Sequence, residues 1–144
     1  MSKKEMSRIE KELKWADEYC KKYYGKPLAE RDHMARMARY APDIMASWLR
    51  FRSSTWKSPE EGGHLPIKYK ELIAVGIETA TMKEHVGHVE RSIDEGATVE
   101  EIAEVLGMAI MLAGFESYMI GGRHVLQRAE EYAKKKENKK RHEM

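Results

Sequence analysis

The helical spacing of apolar residues is the feature that most restricts what this chain can fold into. Near its start, apolar residues recur at steps of three and four, and Gly25 follows the last of them. This spacing predicts an amphipathic helix that ends at Gly25. The residues of its apolar stripe are Met6, Ile9, Leu13, Ala16, Cys20 and Tyr23. The alternation of apolar and polar residues that is typical of strands is missing throughout, so the sequence predicts an all-α protein.

Two prolines indicate where further helices begin. After a second helical segment at about 29–40, Pro42 and Pro66 each precede an apolar run. A proline suits the first helical position because the amide hydrogen it lacks has no partner there in any case. The segment after Pro66 is so apolar that we expect it in the core. Its apolar residues include Ile67, Leu72, Ile73, Val75 and Ile77.

Two Thr-x-x-Glu sequences match the capping box that opens many helices. They are Thr81 with Glu84 and Thr98 with Glu101. The first predicts a helix that continues to Gly96, and the second predicts a helix over the small apolar residues that follow.

A last helix is predicted from Ser117 to about residue 136, interrupted by Gly121-Gly122. We interpret Tyr118 and three methionines as core or pocket wall, because they have helical spacing. The methionines are Met108, Met111 and Met119. In all, we predict about six helices in one domain over residues 1–136. The charged tail, residues 137–144, should fray into solvent.

Composition excludes several classes of function. The 144 residues carry 26 basic and 24 acidic side chains, a net charge of +2, so we expect neither nucleic acid nor a membrane as partner. No apolar stretch is long enough to span a membrane or to form a secretory signal, which makes a cytoplasmic protein the expectation. The lone Cys20 excludes an internal disulfide and a Cys-x-x-Cys pair.

The segment "EHVGH" at 84–88 concentrates groups that could carry chemistry. One interpretation is structural, since Glu84 would already serve the capping box. A second is a metal site, because Glu84, His85 and His88 could share a helix face. The spacing differs from that of zinc-protease helices, which carry two histidines four residues apart, so we predict no metal. A third interpretation is an acid–base site.

From "LPIKYKELIAV" through "HVERSIDEGATVEEIAEVLGMAIMLAG", the chain resembles the carboxymuconolactone decarboxylase family, which includes the alkylhydroperoxidase D-like (AhpD-like) proteins. The resemblance covers roughly residues 65–132, and "PDIMASWLRFRSSTW" before it also fits. It implies an AhpD-like helical bundle that assembles as a homotrimer or homohexamer.

The peroxidase branch of this family has a Glu, a Cys-x-x-Cys pair and a His. Glu71 and His88 match the Glu and the His, but two residues are missing between them, and Thr81 and Glu84 stand where the cysteines belong. Alignment without a gap would instead place Glu90 at the His. We prefer the gapped register because turns absorb deletions more readily than helices do.

Without the cysteines, the disulfide chemistry of a peroxidase is excluded, because it needs an attacking thiolate and a resolving thiol. The resemblance then implies a cofactor-free decarboxylase that acts on a small carboxylated lactone or carbonyl compound. It implies Glu71 and His88 as catalytic residues, and we predict Glu84, four residues before His88, as a third. For substrate binding we predict His85, Arg123, His124 and Tyr118. One alternative is a peroxidase, which only the family name suggests because the cysteines are missing. The other is a non-catalytic oligomeric scaffold.

Overall fold

The computed structural model describes residues 2–83 and 86–144. All regular structure in these ranges is helical, which confirms the predicted fold class. The chain forms two compact units, Met1–Lys57 and Ser58–Met144. None of the described helices has the length and apolar character needed to cross a membrane.

The first unit contains α1, α2 and α3, with a short 3-10 turn before α2. Their bounds are Lys3–Tyr24, Asp32–Tyr40 and Pro42–Thr55, and the turn is Leu28–Glu30. Gly25 ends α1 with a φ of 72°, a left-handed conformation that glycine adopts without strain. The predicted end of α1 and the predicted start at Pro42 are both confirmed.

Cys20 lies in the core of the first unit. The thiol is fully buried on the stripe of α1, and burial raises its pKa. Since the thiolate is the reactive form, this environment makes the thiol inert. The buried residues around it are Ala16, Tyr19, Leu28, Met34, Met45 and Leu49.

A buried arginine on α3 also belongs to the first unit. The Arg52 guanidinium donates to the Tyr19 hydroxyl at 2.7 Å. It lies 4.8 Å from the ring centroid of Tyr24 and 5.0 Å from that of Trp56. Among the described residues of this unit, no carboxylate pairs with Arg52, so aromatic rings and a phenol oxygen stabilise the buried charge.

The second unit contains four α-helices in its described residues, α4 to α7. Their bounds are Ile67–Ala80, Gly87–Asp94, Val99–Ala113 and Arg123–Glu143. A 3-10 turn, Pro59–Glu61, precedes α4, and a π-helical turn, Tyr118–Gly122, precedes α7. The predicted capping box at Thr98 and Glu101 is confirmed at the start of α6.

The helix after Pro66 is only half in the core. Leu72 and Val75 on α4 are buried against α5 and α6, but Ile73 and Ile77 on the opposite face are exposed. Of the residues predicted as core or pocket wall, Tyr118 packs against the core, whereas Met108, Met111 and Met119 are exposed and do not belong to the core. These helices are apolar on more faces than one unit can cover. The spacing therefore identified the helices correctly but predicted too many of their apolar residues to be buried.

Thr81 does not open a helix as the first Thr-x-x-Glu sequence predicted. The Thr81 hydroxyl donates to the carbonyls of Ile77 and Glu78, so Thr81 ends α4 and does not open the next helix. The acidic residue of that sequence, Glu84, lies outside the described residues. Helix α5 begins later, at Gly87.

The glycine pair that was predicted to interrupt the last helix lies in the π-helical turn. A Cβ at Gly122 would lie 2.9 Å from Tyr118 Cδ2 and 3.3 Å from Thr79 Cγ2. The absence of a side chain there lets the turn approach α4 closely. The charged tail was expected to fray, but the structure continues α7 through it as an exposed helix that ends at Glu143.

Candidate active site

Glu71 on α4 and His88 on α5 form the centre of the candidate site, which lies within the second unit. The Glu71 side chain is 1% exposed, and its Oε2 is 2.5 Å from Nδ1 of His88. Glu71 lies on the face of α4 that is buried against α5, and His88 is in the first turn of α5. A buried carboxylate requires hydrogen-bond partners to offset its lost hydration. The structure thus contains the contact that the gapped register predicts.

Arg91, one turn after His88 on α5, is the third member of the cluster. Its Nε donates to Glu71 Oε1 at 3.3 Å, and its Nη2 lies 3.0 Å from His88 Nδ1. Arginine can only donate, so the ring nitrogen cannot donate to Glu71 and accept from Arg91 at once. The shorter distance to Glu71 favours the tautomer in which Nδ1 donates to the carboxylate. Arg91 then pairs with Glu71, and Nε2 is the ring nitrogen that does not bond to Glu71.

A second carboxylate, that of Glu78, lies on the other side of the imidazole. Its Oε1 is 3.6 Å from His88 Nε2. Glu78 follows Glu71 by seven residues, so both side chains project from the same face of α4. The ring of His88 therefore lies between two carboxylates.

Polar contacts to α7 hold α5 in this position. Arg128 forms an ion pair with Glu90, and Asp94 accepts from Tyr132 and Lys136. Glu90 was the alternative match to the family's His in the ungapped register. Because Glu90 pairs with α7 whereas His88 contacts Glu71, the structure favours the gapped register.

The metal interpretation of "EHVGH" rests partly on residues outside the described ranges. Glu84 and His85 are both outside, so their predicted catalytic and substrate-binding roles stay predictions. Within residues 2–83 and 86–144, no three His, Cys, Asp or Glu side chains form a group that could hold a metal ion.

The other predicted substrate-binding residues lie at or next to the start of α7. Arg123 and His124 are exposed in its first turn. Tyr118 is half-buried in the π-helical turn, and its ring packs at 5.7 Å from that of Phe115. No hydrogen bond in the described part of the chain joins Arg123 or Tyr118 to Glu71 or His88. Their binding roles also stay predictions.

Two residues of the cluster, Glu78 and Arg91, were missed by the sequence analysis. A signal existed for each, because Glu78 follows Glu71 by two helical turns and Arg91 follows His88 by one. Once a Glu on one helix and a His on another are expected to meet, charged residues at these spacings become candidates for the same cluster.

Comparison with known proteins identifies the class to which this fold and cluster belong. The profile of the carboxymuconolactone decarboxylase family matches residues 42–127, more than half of the chain. A crystal structure of a candidate carboxymuconolactone decarboxylase from Burkholderia xenovorans LB400 superimposes with a TM-score of 0.79 and 26% sequence identity. The match covers 91% of this chain and 98% of that one. A search of curated proteins found no match. The chain belongs to the carboxymuconolactone decarboxylase family.

Proposed function

We propose that this protein is a cofactor-free acid–base enzyme that removes CO2 from a small carboxylated lactone or related carbonyl compound. The observation that carries the proposal is the contact between buried Glu71 and His88. Family membership and the fold shared with the Burkholderia protein support the same reaction class.

The chemistry requires one proton to be delivered to carbon. As the bond between the substrate carbon and its carboxylate breaks, CO2 leaves and the electron pair moves into the lactone carbonyl system. The carbon then takes a proton from His88 Nε2, and solvent returns a proton to the ring. The net change is loss of CO2 and gain of one proton by the substrate, which needs no oxidant or reductant.

Glu71 and Arg91 would make His88 effective in this step. Glu71 fixes the proton on Nδ1, which leaves Nε2 to exchange protons with the substrate. It would also stabilise the charged ring while both nitrogens carry protons. Arg91 balances the charge of Glu71 and orients its carboxylate.

The first test is incubation of the purified protein with carboxymuconolactone and with a panel of related carboxylated lactones. We expect CO2 release to follow enzyme concentration and to persist after chelator treatment. Conversion of the lactones without CO2 release would instead indicate an isomerase or a lactone hydrolase. If no compound in the panel reacts, the non-catalytic scaffold becomes the better interpretation.

We also propose that the protein assembles as a homotrimer or homohexamer. The second unit exposes two large apolar stripes, Ile73 and Ile77 on α4 and Met108, Met111 and Leu112 on α6. Large apolar side chains exposed in rows along a helix are typical of subunit interfaces. Light scattering at micromolar concentration should give a mass that is a multiple of three chains. Met111→Glu should dissociate the assembly, whereas the exposed Glu104→Gln on the same helix should not. A monomeric wild-type protein would contradict the proposal.

A further inference from the structure

We propose that Glu78 is a positioning residue of the candidate site, which keeps a proton at Nε2 of His88. The inference rests on the proposed function for its use in catalysis, but its physical claim concerns only the ring and the charges that face it. These are the carboxylates of Glu71 and Glu78 and the guanidinium of Arg91, which pairs with Glu71. The supporting geometry is an imidazole with Glu71 Oε2 at 2.5 Å from Nδ1 and Glu78 Oε1 at 3.6 Å from Nε2.

The two contacts differ in kind. The contact to Glu71 is a hydrogen bond and takes the proton of Nδ1. A distance of 3.6 Å is too long for a hydrogen bond, so Glu78 acts on Nε2 through charge. The side chains of His88 and Glu78 are 14% and 21% exposed, so solvent screens this interaction less than it would screen a surface pair.

The negative charge of Glu78 favours one protonation state of Nε2 over the other. A bare Nε2 directs a lone pair toward the carboxylate and is repelled, whereas an N–H group there is attracted. Because Glu71 already occupies Nδ1, the attraction of Glu78 falls on the nitrogen that exchanges protons in the proposed reaction. Glu78 thereby favours the ring form that is ready to give a proton to the substrate, and it helps to restore that form after each turnover.

Nitrogen NMR of histidine-labelled protein tests this claim without a substrate. The ¹⁵N shift of Nε2 reports whether that nitrogen carries a proton, and the signals that disappear in His88→Gln identify the ring. At a fixed pH, Glu78→Gln should lower the ratio of rings with a proton at Nε2 to rings without one by about fivefold, the order expected for one nearby charge. The control Glu104→Gln removes an exposed carboxylate from α6 and should leave the ratio unchanged.

Two further variants separate charge from packing. Glu78→Asp retains the charge and should restore most of the Nε2 proton, which a purely structural role would not require. If Glu78→Gln does not fold, Glu78→Ala provides the same loss of charge. An Nε2 signal that is the same in the wild type and in a folded variant without the charge would overturn the proposal. Because no substrate is used, failure of the decarboxylation assay would leave this result interpretable.

Discussion

The two units each bury a charged side chain, and they stabilise it in opposite ways. In the first unit, Arg52 is surrounded by the rings of Tyr24 and Trp56 and donates to the Tyr19 hydroxyl. In the second unit, Glu71 is even more deeply buried, and its neighbours include His88.

The two sites differ in whether the groups that contact the buried charge can exchange protons near neutral pH. Arginine stays charged at any ordinary pH, and aromatic rings neither give nor take protons near neutrality. The environment of Arg52 can therefore stabilise a fold but cannot catalyse proton transfer. Glu71 contacts an imidazole, the side chain that exchanges protons most readily near neutral pH. Burial of charge is thus a poor guide to function unless the partner can titrate.

The largest expected effect is the loss of activity in His88→Gln. Removal of a general acid should lower kcat on the reacting lactone by about a hundredfold or more. The oligomer and the melting temperature should stay close to those of the wild type. His64→Gln is a matched control, because His64 is an exposed histidine of the same unit. A His88→Gln variant that retains full activity would show that the second unit buries its charge only for structure.

Replacement of Arg52 should lower stability and leave activity nearly unchanged, the reverse of what is expected for His88→Gln. Arg52→Met removes the cation and the hydrogen bond but keeps an unbranched side chain, so the free energy of unfolding of the first unit should fall by about 2 kcal/mol. Activity should stay within about twofold of the wild type, since the aromatic groups that contact Arg52 in the structure exchange no protons near neutral pH. All three tryptophans lie in the first unit, so their fluorescence follows its unfolding selectively. The control Arg39→Met alters an exposed arginine, and equal losses in the two variants would refute the role of the aromatic neighbours.

A smaller effect is expected where the π-helical turn meets α4. Gly122→Ala places a methyl group against Tyr118 and Thr79, and this overpacking should lower stability by about 1–2 kcal/mol. At Gly107 on α6 a Cβ would have no neighbour within 4 Å, so Gly107→Ala should be neutral or slightly stabilising. Urea unfolding of both variants followed by circular dichroism would measure the difference. Equal stability of the two variants would mean that the turn relaxes to accept a side chain.

The features that the sequence predicted correctly are local. Gly25 and Pro42 mark helix ends through their own backbone preferences, and the capping box at Thr98 involves neighbours in the sequence. Thr81 has the same signature as Thr98, but its hydroxyl bonds to the end of the preceding helix instead. A pattern of residue types does not determine which of two adjacent helices a threonine will cap.

The features that were missed depend on how helices pack. Periodicity showed that Ile77 and Met111 belong to helices, but it could not show that those faces of the unit stay exposed. The Glu71–His88 contact was expected only through the family resemblance, since the two residues lie on different helices. Glu78 and Arg91 lie beside the ring because α4 packs against α5. Their spacing from Glu71 and His88 indicates this only once the two helices are known to meet.

The most direct test of the central claim, that Glu71 and His88 work as one proton-transfer unit, is a double-mutant cycle in kcat. Glu71→Gln, His88→Gln and the double variant would be compared with the wild type on the reacting lactone, with oligomeric state and melting temperature as checks on folding. Because members of one catalytic unit are not additive, the double variant should lie within about threefold of His88→Gln. Losses that multiply, so that the double variant is slower by the product of the two single effects, would show that the residues act independently and would contradict the account.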